Sequence, residues 1–264
     1  MADSLLINTY SGRTSQAVLS LIGKYFKNTW LEEYGDQIFQ ICDELIKNAV
    51  KSNYKFLLLW YFTRKRMLEQ NLEMTSQDAD EWLREVFFSG ESVLLEKQME
   101  KLSNRATISE SVRKLLDIEN RYMTIRAQQH PRDGKKMTWE KVFIPLLRIK
   151  RLARKLKVHI HFRIESSVDQ VLITVANDAP ILDEDMVRIS SIRRKFAEYV
   201  SQGKHQDFFV ENLDTTGGGH GLGYAIMDAI LLDLALVPEV SLYLIGASRT
   251  MVLLALPLKK PAGI

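Results

Sequence analysis

Two groups of residues in this chain have the types and spacing that phosphate chemistry needs. Over 215–226, the run TTGGGHGLGYAI sets five of the thirteen glycines into seven positions: Gly217, Gly218, Gly219, Gly221 and Gly223. Glycine tolerates left-handed backbone and lets a ligand approach the main chain closely. The apolar run that follows reads as a helix, whose unpaired N–H groups and positive dipole end face back into the loop. Such a loop cradles phosphate. The plainer alternative is a glycine-rich hinge. The second group is Glu44, Asn48 and Lys51. At about 100° per residue Asn48 and Lys51 fall within about 40° of the Glu44 direction on a helix. Asparagine is a mediocre helix former, and its side-chain oxygen is a good ligand for hard Mg²⁺. The plainer alternative here is a solvated Glu–Lys ladder.

The elements that must position these groups can be read from periodicity. Residues 14–27 and 36–53 read as helices. In the second, Ile38, Cys42, Leu45, Ile46 and Ala49 form an apolar stripe apart from the Glu44 stripe. From 54 to 128 the chain is rich in helix formers and free of proline, with Gly90 marking a break. HPRDGKK at 130–136 reads as a turn, and 138–157 as a helix with a kink or boundary at Pro145. The period then changes. VHIHFRI (158–164) and QVLITVA (170–176) read as a hairpin, and NDAPIL (177–182) as a turn. The charged stretch 183–214 is read as partly helical, 222–236 as a helix, and 240–246 and 250–258 as two closing strands. This order suggests an antiparallel or mixed sheet with helices on one face.

Composition sets the outer bounds. The chain has 264 residues, 46% of them hydrophobic and 26% charged, with a net charge of +3. That describes a globular protein without a strong electrostatic claim on nucleic acid. The one cysteine, Cys42, forms no internal disulfide and suits a reducing compartment. No secretory leader or membrane-spanning run is visible, so the expected location is the cytoplasm. The basic run RIKRLARKLK (148–157) reads as a solvated face over an apolar seam, in preference to a nucleic-acid or membrane contact.

Four segments in order resemble the motifs of the GHKL superfamily, the nucleotide-binding fold shared by gyrase, a heat-shock chaperone, sensor histidine kinases and mismatch-repair ATPases. ELIKNAVK is similar to the N box of the histidine-kinase branch. ITVANDAPIL resembles the first glycine box and TGGGHGLGYAI the second. RTMVLLALP resembles the closing strand. The resemblance covers about 36–53 and 158–258. It implies an α/β fold: a two-layer sandwich of the Bergerat ATP-binding type, with a mixed sheet and helices on one face. It also implies Mg-ATP as ligand. Asn48 would hold Mg²⁺, Glu44 would act as general base, and Lys51 would lie near the phosphates. Asn177 would read the adenine amino group, with Ala179, Ile181 and Leu182 in the adjoining turn. Gly217, Gly218, Gly219, His220, Gly221, Leu222 and Gly223 would wrap the phosphates, and Thr250 would lie under the adenine. Residues 183–216 would form the ATP lid, with Arg193, Arg194, Lys195 and Lys204 as candidates for neutralising phosphate charge; the plainer alternative for these residues is a solvated helix.

The sequence departs from that pattern in three ways. NDAPIL has Asn177 in place of the usual Asp, and Ala179 and Ile181 in place of glycines. Asn48 and Asn177 lie 177 − 48 = 129 positions apart, which divides the chain into 1–53, a helical insertion at 54–150, and 151–264. The insertion is read as an arm that meets a protein partner or a second copy of the chain; the plainer alternative is a decorating hairpin. No histidine precedes His130, so the usual phosphoacceptor is missing; His159 and His161 alternate along a strand and read as packing or surface residues. The implied function is an ATPase, or a kinase acting on a separate protein as the family's anti-sigma-factor serine kinases do. The alternative is a degenerate nucleotide-binding module that regulates without catalysis. A gyrase-like ATPase working on nucleic acid lacks its transducer domain here, and no nucleic-acid partner is expected.

Overall fold

The computed structural model describes residues 2–88, 105–128, 140–212, 222–246 and 248–260. Five strands form one sheet in the order β1-β2-β3-β5-β4: β1 Ala2–Ile7, β2 Ile160–Ser166, β3 Gln170–Asn177, β4 Leu242–Gly246 and β5 Thr250–Pro257. Every ladder is antiparallel. The mixed sheet expected from the sequence is therefore corrected to an antiparallel one. Short turns close the β2–β3 and β4–β5 hairpins, and the two hairpins then meet along β3 and β5. The strand β1 has no counterpart in the sequence reading. Its alternation is weak, and its partner β2 lies more than 150 positions away in the chain.

Nine helices are described: α1 Gly12–Phe26, α2 Gly35–Gln70, α3 Ser76–Phe88, α4 Arg105–Gln128, α5 Glu140–Leu156, α6 Asp183–Ser201, α7 His205–Asn212, α8 Leu222–Asp233 and the single turn α9 Pro238–Ser241. One face of the sheet is buried through Ile160, Phe162, Ile164, Ile173, Val175, Val252 and Leu254. Helices α1 and α2 lie against strands of the sheet, and α8 packs on α2 and α6. The apolar stripe Ile38, Cys42, Leu45, Ile46 and Ala49 is buried, as its spacing predicts. Burial also pushes the Cys42 thiol far up from its ordinary range, which keeps it protonated.

The boundary read at 53/54 lies inside α2. No glycine or proline interrupts residues 36–70, so the helix runs unbroken from the sheet into the helical arm. Five consecutive residues, Phe56 to Trp60, are buried there, because α3, α4 and α5 enclose that half of the helix on several sides. Trp60 stacks on Phe87 of α3 with ring centroids 5.5 Å apart. Tyr54 donates to Glu119 Oε2 at 2.6 Å, and Lys150 lies 2.6 Å from Glu119 Oε1. One buried carboxylate thus ties α2, α4 and α5 together. Burial and the Glu119 charge push the Tyr54 hydroxyl far above the ordinary tyrosine range, so it remains a donor.

Two helices end in left-handed residues that are not glycine. At Lys157 (φ 55°) and Ala235 (φ 52°) the chain makes the paired reverse hydrogen bonds of a Schellman stop: Val158 N to Ala153 O and Lys157 N to Arg154 O in one, Leu236 N to Leu231 O and Ala235 N to Leu232 O in the other.

Candidate functional site

The sequence-predicted site residues come from four places: the N-terminal half of α2, the turn after β3, the start of α8 and the start of β5. On α2, Glu44 and Asn48 are half-buried and Lys51 is exposed, so the polar stripe runs out from the fold towards solvent. Glu44 meets α8. A methyl group built on Gly223 would stand 2.3 Å from Glu44 Oε1 and 3.0 Å from its carboxyl carbon. The Glu44 carboxylate occupies the space a side chain at 223 would take, so a methyl there would have to displace it. The carboxylate therefore sits beside the first turn of α8, whose N–H groups and dipole favour negative charge. Residues 44 and 223 are 179 positions apart, and only the fold makes them neighbours.

Asn177 ends β3 and is 2% exposed. Its Nδ2 donates to Asn53 Oδ1 at 3.1 Å, to Ala179 O at 3.3 Å and to Ser52 Oγ at 3.4 Å. The ladder sets Thr250 opposite Asn177, and Thr250 Oγ1 donates to the same Ala179 carbonyl at 2.9 Å. Asn177, Ala179 and Thr250 are thus one hydrogen-bonded unit seated on α2. Ile181 turns towards the end of β4, where a methyl on Gly246 would meet its Cγ2 at 2.6 Å. Leu182 is buried and caps the start of α6. Gly217, Gly218, Gly219, His220 and Gly221 lie outside the described residues, as does His130; Leu222 and Gly223 open α8.

Sequence reasoning missed Ser52, Asn53 and Lys55. Lys55 reaches Glu184 at 3.0 Å and Asp185 at 2.6 Å, clamping α2 to the first turn of α6. The signal was present in the sequence: Lys55 follows Lys51 by one helical turn, and the acids stand together in the run DED at 183–185. A small depression bordered by Ser52, Lys55, Pro180, Leu182 and Asp185 lies at this junction.

The segment read as a lid is helical as far as it is described. Helices α6 and α7 share a small aromatic core with α8, built on Phe196, Phe208 and Ala225. Arg193 is corrected from a phosphate-facing candidate to a structural residue. Its guanidinium forks onto Asp228 at 2.8 Å through both Nε and Nη2, and donates to Leu242 O and Pro238 O. Burial raises the Asp228 carboxyl above its ordinary value, and Arg193 works against that shift. Lys195 donates to Asn212, while Arg194 and Lys204 are exposed. In the basic run of α5, Arg148 bonds Tyr61, Lys150 serves Glu119 and Thr9, and Lys155 pairs with Asp80. Half of that run is thereby used within the fold.

Among the described residues, no helix is long and apolar enough to cross a membrane. Comparison with protein-family models, with characterised proteins and with solved structures gives no match.

Proposed function

We propose that the chain binds Mg-ATP between α2, the turn after β3, the start of β5 and the N-terminus of α8, in a two-layer sandwich of Bergerat type. The observation that carries this reading is the contact of Glu44 with Gly223. The two segments chosen from the sequence for phosphate chemistry meet, and they meet at a helix N-terminus, where anions are favoured. The donor set suits the ligand. Asn48 offers a side-chain oxygen atom, the chemistry hard Mg²⁺ takes, and the ion when bound would neutralise phosphate charge. Lys51 would approach the phosphates from the exposed end of the stripe. Asn177 and Thr250 would face the base, with the Asn177 side-chain oxygen accepting from the adenine amino group. Lacking the usual acid, that contact forgoes charge assistance.

The reaction would be attack on the γ-phosphorus by water or by a hydroxyl of a separate protein. Glu44 would take the proton, and positioning with charge neutralisation would supply most of the rate. The helical arm built from the second half of α2 with α3, α4 and α5 would meet that protein or a second copy of the chain. Calorimetry with Mg-ATP on the full chain tests binding, and phosphate release tests turnover. Glu44→Ala is expected to bind ATP and release no phosphate. Binding without turnover in the native chain would favour the non-catalytic regulatory module, and absence of binding overturns the nucleotide reading altogether.

A further inference from the structure

The open face of the sheet carries a second group of ligating side chains that the proposed nucleotide chemistry does not use. His159 and His161 flank the buried Ile160 and therefore point to the same, outward side of β2. The β2–β3 ladder pairs Ile160 with Asn177. One step further along, Asp178 stands across from His159 and points outward because Asn177 points in. The two backbones hold each other at this step: Asp178 N donates to His159 O at 3.1 Å, and His159 N donates to Asp178 Oδ2 at 3.1 Å.

The side chains converge on one point. His161 Nε2 is 3.2 Å and His159 Nδ1 is 3.5 Å from Asp178 Oδ2, and one ligand atom from each of the three residues lies within 4.8 Å of the others. A tetrahedral zinc ion with ligands at about 2.0–2.1 Å holds them about 3.3–3.4 Å apart. Two of the three edges, at 3.2 and 3.5 Å, lie close to that length. The third residue is fixed by the backbone bond from His159, as an outer hydrogen bond commonly fixes a metal-binding carboxylate.

We propose that His159, His161 and Asp178 form a binding site for a borderline divalent transition metal, of which Zn²⁺ is the type, with a fourth position open to water or an external ligand. Two imidazoles and one carboxylate suit zinc far better than Mg²⁺, so this site is chemically separate from the one at Asn48. Arg249 Nε lies 3.8 Å from Asp178 Oδ1 on a largely exposed side chain. Its charge opposes a cation there, and the side chain is long enough to swing away.

The test is titration of the full chain with ZnCl₂, followed by calorimetry and by thermal unfolding with and without zinc. One ion is expected to bind and to raise the unfolding temperature. His161→Ala and Asp178→Asn are each expected to weaken binding about ten-fold or more, while His205→Ala on the exposed start of α7 leaves it unchanged. Arg249→Ala is expected to tighten it. His161 is exposed, and the asparagine variant keeps an acceptor for His159 N, so both variants should fold. Cobalt(II) added in place of zinc is expected to show the visible absorption of a tetrahedral ion in the native chain only. Failure of the native chain to bind zinc, or retention of native affinity in either ligand variant, overturns the proposal. Neither result bears on Mg-ATP, which is measured separately.

Discussion

The two halves of α2 are continuous in backbone and opposite in use. From Gly35 to Asn53 the helix buries one stripe on the sheet and leaves Glu44, Asn48 and Lys51 on a side that reaches solvent. From Tyr54 to Trp60 it is enclosed, with Phe56 and Trp60 packed on Phe87 and a buried carboxylate held between Tyr54 and Lys150. The first half tolerates polar groups because water and neighbouring backbone can satisfy them. The second half packs beside the buried charge of Glu119 on α4, which is tolerated because two partners meet it.

Trp60→Ala should break the enclosed half. Loss of a fully buried indole costs about 3–5 kcal/mol, and chemical denaturation should show it. Lys150→Met should follow at about 3 kcal/mol, because Glu119 is left with Tyr54 alone. Adding Glu119→Gln in that background should restore a good part of it, which a double-mutant cycle measures. Gly223→Ala addresses the other half. The methyl displaces the Glu44 carboxylate, while the helix gains about 1 kcal/mol of propensity. Stability should therefore move little, whereas phosphate release, if Glu44 is the base, should fall about a hundred-fold. The smallest effect is expected at Asp80, where burial disfavours the charge but hydrogen bonds from Lys155 and Arg64 outweigh it and hold the carboxyl below its ordinary 3.8. A lowered carboxyl contributes its stability in full above that value and loses it as pH falls below. Asp80→Asn should flatten this acid limb by less than about 1 kcal/mol, seen as a smaller drop in unfolding temperature between pH 5 and pH 3.

The residues that sequence reasoning placed well are those governed by local periodicity. The buried stripe of α2, the two hairpins and the start of α8 follow from spacing that each segment carries within itself. Strand β1 was missed because six residues beside a distant partner show no local pattern. Arg193 was misjudged because a basic residue in a charged helix looks free until Asp228, Pro238 and Leu242 surround it. Phe196 and Phe208 likewise look scattered in the sequence, yet they pack ring to ring at 5.2 Å.

By itself, the amino-acid sequence determined which side chains can do chemistry and which face of each element is apolar, since both depend on residue type and on neighbours within a turn or two. The tertiary structure alone decided which of them meet. Glu44 finds Gly223 across 179 positions, and Asp178 completes the pair His159 and His161 only because β2 and β3 pair in one register. A slip of one residue would turn Asp178 to the other side of the sheet, and that register is set by the long-range burial of Ile160, Phe162, Ile173 and Val175 together.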